Sequence, residues 1–374
     1  MTQHTSSKKS VIWDLPTRLF HWLMLLSFLV AFLTYDDNRF LFFHVFGGYV
    51  FIGLLLFRLL WGFIGTHYAR FHSFAYDWKS VTAYLRALLN GSAMRHIGHN
   101  PAGGWAIFFM LVLGMIIGFT GIFTLSGEEG HGMFGGWVSF EVGSASHEVH
   151  ETLAWIMLAM VGVHLIGVLV ESVIHRENLI WSMITGHKES DAGVAGVRGH
   201  HLLGLSLVII VAVSALYYFR GYLNETADNL YQPYKGPDLP DNAMWREECG
   251  ECHFAYHPSL LPRRSWQKIF AEQHEHFGDD LDLDKESYDE LLKFHVDNAA
   301  ETLPSEPAHR ILSMTPENET PIRVTETHYW VKKHKDIPEY YWKHKKVRTK
   351  GNCAACHLDS SRGTYEDSDM RLPK

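Results

Sequence analysis

Two stretches of the chain, Cys249-Gly-Glu-Cys252-His253 and Cys353-Ala-Ala-Cys356-His357, repeat the pattern C-x-x-C-H and use all four cysteines. At this spacing two thiols can add to the two vinyl groups of one haem, while the histidine that follows reaches the iron from the proximal side. A zinc site built from two CxxC pairs accounts for the thiols but gives no reason for a histidine after each. A pair of two-residue disulfide loops leaves the same coincidence unexplained. The expectation is two covalently attached haem c groups, held by Cys249, Cys252, Cys353 and Cys356, with His253 and His357 as the proximal iron ligands. Eight further histidines are available as sixth ligands: His257, His274, His276, His295, His309, His328, His334 and His344. For any one of them a solvated surface position is the plain alternative.

A second set of histidines lies inside apolar runs, where an unpaired polar ring is costly. His150 and His164 share one run, fourteen residues apart. On a helix that spacing puts them on nearly one face and about 21 Å apart, which suits two stacked haems rather than one. His147 lies about 100° off the His164 face, so His150 is preferred. Depth then selects their partners. His21 stands near the start of the first apolar run and His44 near the start of the second, which returns. The pairs are therefore His21 with His164 and His44 with His150, each clamping one haem b. Hydrogen bonding to a neighbouring helix is the alternative for any single one of these rings.

The elements that must position these groups are five apolar runs of membrane-crossing length, at about residues 18–35, 41–63, 104–125, 150–172 and 201–219. Their loops differ in charge. Loop 66–103 carries Arg70, Lys79, Arg86 and Arg95, and loop 173–200 carries Arg176, Lys188 and Arg198. Segment 126–149 has no Lys or Arg and holds Glu128, Glu129, Glu141 and Glu148, while Asp36, Asp37 and Arg39 form the other short turn. The positive-inside rule then places the N-terminus in the cytoplasm and the C-terminal part outside, in the periplasm of a bacterial inner membrane. Met1–Ser10 is polar and the first apolar run has no small-residue cleavage site, so no cleaved signal peptide is expected. A linker follows the last run, from about Arg220 to Asn242, where Pro233, Pro237 and Pro240 interrupt any helix.

Up to Phe219 the chain has 12 Lys/Arg and 13 Asp/Glu; from Arg220 on it has 21 and 28. Both parts are mildly acidic, which argues against nucleic acid as a partner. The fold expected is all-α: a transmembrane bundle with a four-helix di-haem core in residues 1–190, a fifth span and linker in 191–242, and a helical, loop-rich periplasmic domain in 243–374.

The residues also carry two family resemblances. Arg18-Leu-Phe-His21-Trp22-Leu23, His44-Val-Phe-Gly47 leading to Phe57-Arg58-Leu-Leu-Trp61, and the His150…His164 pair resemble the bacterial cytochrome b561 family over about residues 11–190. That family includes the b-type subunits of nickel–iron hydrogenases, four-helix di-haem proteins linked to quinone. Residues 240–374 resemble the bacterial di-haem cytochrome c family. The matching stretches are Cys249–Tyr256, Leu260–Trp266, His276-Phe-Gly278-Asp279, Arg323–Thr325 through Lys333-His334, and Cys353–His357. This second resemblance implies bis-histidine ligation with His276 and His334 as distal ligands, His328 being the reserve. It departs at His257, and the stretch Pro304–Pro321 looks particular to this chain.

Together these readings predict a membrane-anchored electron-transfer protein with two haem b and two haem c. It would pass electrons from quinol in the bilayer to a soluble periplasmic redox protein. The alternatives are flow in reverse to quinone, oxidation of superoxide at the outer face, and, in another class, a haem-based gas sensor. Glu128, Glu129, His131, Glu141, His147 and Glu148 are read as a solvated loop, with uptake of quinol protons as the sharper alternative. Arg58 either contacts a propionate or quinone, or snorkels to the inner interface. The basic stretch Lys332–Lys350 docks a partner, neutralises propionates or is a solvated face. Gly47, Gly48, Gly53, Gly114, Gly118, Gly121 and Gly162 either admit a porphyrin or pack helices.

Overall fold

The computed structural model describes residues 8–36, 40–190, 196–224, 226, 239–302 and 305–373. Asp37, Arg39, Pro233, Pro237 and Pro304, used above for charge, linker and insert, lie outside the described residues. Two compact units divide the chain: one runs up to Gly121 and includes His147–Gly221, the other comprises Ile122–Ser146 and Tyr222–Lys374.

The first unit opens with strand β1 (Lys8–Val11), followed by α1 (Leu15–Leu33), α2 (Leu41–Ile64) and α3 (Trp78–Leu89). Next come α4 (Pro101–Glu128) and α5 (Phe140–Ile174), of which residues 122–128 and 140–146 belong to the second unit, then α6 (Leu179–Thr185), strand β2 (His187–Ser190) and α7 (His201–Leu223), whose last two residues also belong to the second unit. Helices α1, α2, α4, α5 and α7 are the five long and apolar enough to cross a membrane, so the chain is a multi-pass membrane protein. The apolar runs named the spans but not their full lengths. α5 begins at Phe140, ten residues before its apolar run, because the polar turns from Phe140 to Val149 continue the same hydrogen-bonded helix.

Pairing of β1 with β2, antiparallel with Lys8 opposite Ser190, was not expected from the sequence. Four-residue strands are too short to show a period. They close the N-terminus against the α6 turn, where Ile12 N and Trp13 N donate to Gly186 O at 2.8 and 3.1 Å. Gly186 has φ +85°, and a Cβ there would stand 2.6 Å from Trp13 O, so only glycine fits. On the same side Arg18 donates to Ile184 O at 2.6 Å, fixing the helix turn that precedes His21.

Asp14 caps α1 and is fully buried. Its carboxylate accepts from Thr17 N at 2.8 Å, Trp61 Nε1 at 3.2 Å and Thr66 Oγ1 at 2.5 Å. It thus locks the start of α1 to the end of α2. Asp14→Ala is expected to leave these donors unmatched and to cost about 3 kcal/mol, read as a lower melting temperature of the detergent-solubilised protein.

The second unit contains α8 (Ala243–Glu248), α9 (Arg263–Ala271), α10 (Lys285–Asp297), α11 (Glu306–Met314), α12 (His328–His334) and α13 (Glu339–Trp342), joined by turns and single 3₁₀ turns. Its core packs Trp245, Leu261, Trp266, Phe270, Leu291 and Ile311. The mostly helical, loop-rich architecture expected from the sequence is what is found.

Candidate haem sites and family

In the membrane unit the ring centroids of His21 and His164 are 6.4 Å apart, and those of His44 and His150 are 5.9 Å apart. In the second unit His253 and His276 are 6.2 Å apart, and His334 and His357 also 6.2 Å. An imidazole nitrogen binds a transition metal at about 2.0–2.1 Å, with the ring centre about 1.1 Å further back, so two imidazoles on opposite sides of one ion have centroids about 6.3 Å apart. A direct ring-to-ring N–H···N hydrogen bond would draw them to about 5 Å. All four pairs have the spacing of two axial ligands.

Hydrogen bonds set the ring orientations. His44 Nδ1 lies 2.8 Å from Ala31 O, and His150 Nδ1 lies 2.9 Å from Ile117 O. A carbonyl only accepts, so Nδ1–H donates in both rings and Nε2 keeps the lone pair that a metal takes. His253 Nδ1 to Phe254 O and His334 Nδ1 to Trp330 O, each 2.8 Å, repeat the arrangement. Burial holds His334 and His357 at about 4 and lowers His276, so these rings are neutral at physiological pH, as ligation requires.

Local structure explains how His276 and His334 come to face His253 and His357. His276 N and O exchange hydrogen bonds with Asp279 at 2.7 and 3.1 Å across the tight turn Phe277-Gly278, and Arg323 covers the Phe277 ring at 3.9 Å. At the other site His334 stacks on Trp330, 4.3 Å centroid to centroid, one turn earlier on α12. The remaining candidates fall elsewhere. His257 and His295 are buried, His257 against Ser259 and His295 between Trp266 and Phe270. His274 pairs with Asp280, His328 with Glu319, and His309 packs on Phe140. His344 Nδ1 accepts from Lys346 N.

The four thiols are free, and among the described residues no three cysteine or histidine ligand atoms converge as a zinc site requires. Burial pushes Cys249 up to about 12 and Cys353 up to about 11. Such positions disfavour the thiolates of a zinc centre but suit neutral thioethers. The residues present therefore fit haem.

The glycines divide between the two readings. A Cβ on Gly47 would meet Ser27 O at 2.9 Å, and Cβ atoms on Gly114 and Gly118 would meet Leu55 and Ile52 at 2.9 and 2.8 Å, so these three pack helices. Gly48, Gly53 and Gly162 face open space. Gly121 clears the His150 ring, whose Cε1 would lie 2.9 Å from an added Cβ. Gly121→Ala is expected to displace that ring and lower haem b per chain, measured by the pyridine haemochrome assay.

Two expectations are corrected. Segment 126–149 is not a solvated loop throughout. α4 runs on to Glu128, and Glu128, Glu129 and His131 are buried, while Glu141, His147 and Glu148 are exposed. Arg58 does not snorkel. It is 4% exposed, lies over Phe71 and Phe74 at 4.9 and 5.8 Å, and keeps Nη1 buried with no hydrogen-bond partner. Beside it His99 packs between Trp13 and Phe74, also with Nδ1 unpartnered, and burial pushes it down to about 3, with Arg58, His164 and His21 adding in the same direction. Sequence reasoning missed His99, which sits outside the apolar runs.

Comparison with known proteins decides the family. Residues 12–186 match the family of prokaryotic cytochrome b561, and residues 245–365 match dihaem cytochrome c. The chain is a cytochrome b561 joined to a dihaem cytochrome c. The cytochrome b561 region is similar to the probable Ni/Fe-hydrogenase B-type cytochrome subunit of Cupriavidus necator, 27% identical over 49% of this chain and 88% of that protein. Its counterpart in Azotobacter chroococcum is 29% identical over 47% of this chain and 86% of that protein. The dihaem cytochrome c region is similar to the diheme cytochrome c from Rhodobacter sphaeroides, 34% identical over 34% of this chain and 99% of that one, with a TM-score of 0.30. It is also similar to that of Shewanella baltica, 28% identical over 36% of this chain and 94% of that one, with a TM-score of 0.29. Haem b and haem c are the cofactors these families bring, and membrane electron transfer is the activity.

Proposed function

We propose that the chain carries electrons from quinol in the membrane to a soluble acceptor outside the bacterial inner membrane, using two haem b and two haem c. The observation that carries this reading is the set of four histidine pairs at 5.9–6.4 Å, two in each unit. In it His21 with His164 and His44 with His150 hold haem b. His253 with His276 and His357 with His334 hold haem c, attached through Cys249 and Cys252 and through Cys353 and Cys356. Bound haem supplies reversible one-electron chemistry.

The chain's own residues hold, orient and seal these groups. Backbone carbonyls of Ala31, Ile117, Phe254 and Trp330 orient the four rings they bind. Arg58, with a buried unpartnered Nη1 beside His99, is the cation for a propionate or a quinone oxygen. The charge bias of loops 66–103 and 173–200 supports a cytoplasmic N-terminus and an external dihaem cytochrome c region. Fusion of the two regions keeps donor and acceptor at high effective concentration. The relatives named as Ni/Fe-hydrogenase B-type cytochrome subunits support exchange of electrons with a redox protein.

The pairing of two histidine rings at each of the four sites weighs against a gas sensor, which needs an open iron position. Redox titration with b and c absorbance followed separately tests the direction. The proposal expects b-haem midpoints near or above the quinone couple and c-haem midpoints above those; b-haem midpoints far below the couple would favour flow toward quinone.

A further inference from the structure

His44 on α2 faces His150 on α5, and fourteen residues further along each helix stand Arg58 and His164. Fourteen residues advance a helix by about 21 Å and return nearly to the same face. Where α5 carries its second histidine, α2 thus carries an arginine. Arg58 is 4% exposed, its guanidinium lies over Phe71 and Phe74, and Nη1 is sealed from solvent with no hydrogen-bond partner. Phe74 also packs on His99, 4.5 Å between centroids, and Trp13 lies 4.8 Å from the same imidazole. His99 Nδ1 is likewise buried without a partner. The backbone around it is fixed, because Tyr76 Oη donates to His99 O at 3.1 Å and Asn100 Oδ1 accepts from Gly103 N at 2.7 Å.

Electrostatics shows what group this place takes. Arg58 makes no ion pair among the described residues. Asp14 acts on it through space, but the Asp14 oxygens accept from Thr17, Trp61 and Thr66 instead. Burial, with Arg58 and Lys188 adding in the same direction, keeps the His99 ring neutral. A neutral imidazole still has one N–H to give, and a buried cation with no counter-ion in contact is costly. Nδ1 of His99 and Nη1 of Arg58 are therefore two donors in an electropositive place walled by aromatic rings. A carboxylate answers both the charge and the donors. A quinone is neutral when oxidised and when fully reduced, so it leaves the guanidinium charge uncompensated. His164 and His21 both act on His99 through space, which brings the place within reach of the haem b assigned to those two rings.

We propose that Arg58 and His99 hold a propionate of the haem b between His21 and His164, an inference that rests on the assignment of that haem. Arg58 donates a charge-assisted hydrogen bond through Nη1, and His99 donates through Nδ1. The two residues tie the haem to α2 and to the segment that leads into α4. They also set its electrostatics. A cation at the propionate favours the reduced haem, which is the more negative form, and holds its midpoint up.

The test is a redox titration of the full-length, haem-loaded protein in detergent, with the b absorbance resolved into two midpoints. His21→Ala identifies the relevant midpoint as the one it removes. Arg58→Gln is expected to lower that midpoint by about 59 mV, a tenfold change in a one-electron equilibrium, and to leave the other b midpoint in place. His99→Leu should lower the same midpoint by less, and Arg58→Lys, which keeps the charge, should restore most of it. In resonance Raman spectra of the reduced protein the haem b propionate bending band should move in Arg58→Gln and in His99→Leu. Should Arg58→Gln lose the haem, the midpoint and the Raman band of His99→Leu decide. The proposal is overturned if neither the midpoint nor the Raman band moves in these variants. A raised KM for quinol with both readouts unchanged also overturns it and gives the site to quinone. If His21→Ala removes neither b midpoint, the haem assignment itself has failed. If it removes one and Arg58→Gln shifts only the other, the assignment stands and the propionate contact does not.

Discussion

Replacing His150 by alanine is expected to leave one haem b in place of two and to slow reduction of the c haems by quinol by roughly two orders of magnitude or more. His150 is held from both sides: Ile117 O fixes its Nδ1 and Gly121 makes room for its ring, which faces His44 at 5.9 Å. Losing one of two axial ligands leaves an exchangeable haem, and a break in the membrane unit interrupts delivery to all that follows. His147→Ala is the control. It is three residues earlier and exposed, so both haem b and quinol activity should stay at wild-type levels. If His147→Ala and His150→Ala behave alike, the assignment of the second pair is wrong.

The second large effect concerns the dihaem cytochrome c region. His276→Ala and His334→Ala should each keep both haem c groups, because the thioether bonds through the cysteines are untouched. Each should convert one of them to a high-spin form that binds carbon monoxide when reduced. The midpoint of that haem should rise, by an amount on the order of 100 mV, because a strong imidazole donor is gone. His328→Ala and His344→Ala should leave the spectra unchanged, since His328 is exposed beside Glu319 and His344 binds the backbone of Lys346. A high-spin signal from His328→Ala in place of His334→Ala would transfer the distal role to the reserve residue.

Local signals carried the most information. The CxxCH motifs are complete within five residues, and the membrane histidines betray themselves by being polar in apolar runs. Helical periodicity relates His150 to His164, and charge bias orders the spans by depth, so the pairing of His21 with His164 and of His44 with His150 was legible in the sequence. The rings that face His253 and His357 were different. Nothing local separates His276 and His334 from His257 or His295, because what distinguishes them is the ring that faces them across the fold. There the family resemblance supplied what spacing did not.

Burial was the least legible property. Glu128, Glu129 and His131 look like a polar loop, and their polarity is real, but neighbours far along the chain remove them from water. Arg58 likewise reads as an interfacial arginine until Phe71 and Phe74 are seen to cover it. The strand pair at Lys8–Val11 and His187–Ser190 was hidden by its length and by the separation of its partners.

In the proposed function, electrons entering from quinol leave through the dihaem cytochrome c region. Stopped-flow mixing of the oxidised, purified protein with a reduced quinol, with b and c absorbance recorded separately, tests it most directly. Both signals are expected to reduce within the turnover time, the c signal following the b signal. A c signal that stays oxidised while b reduces fully would contradict it.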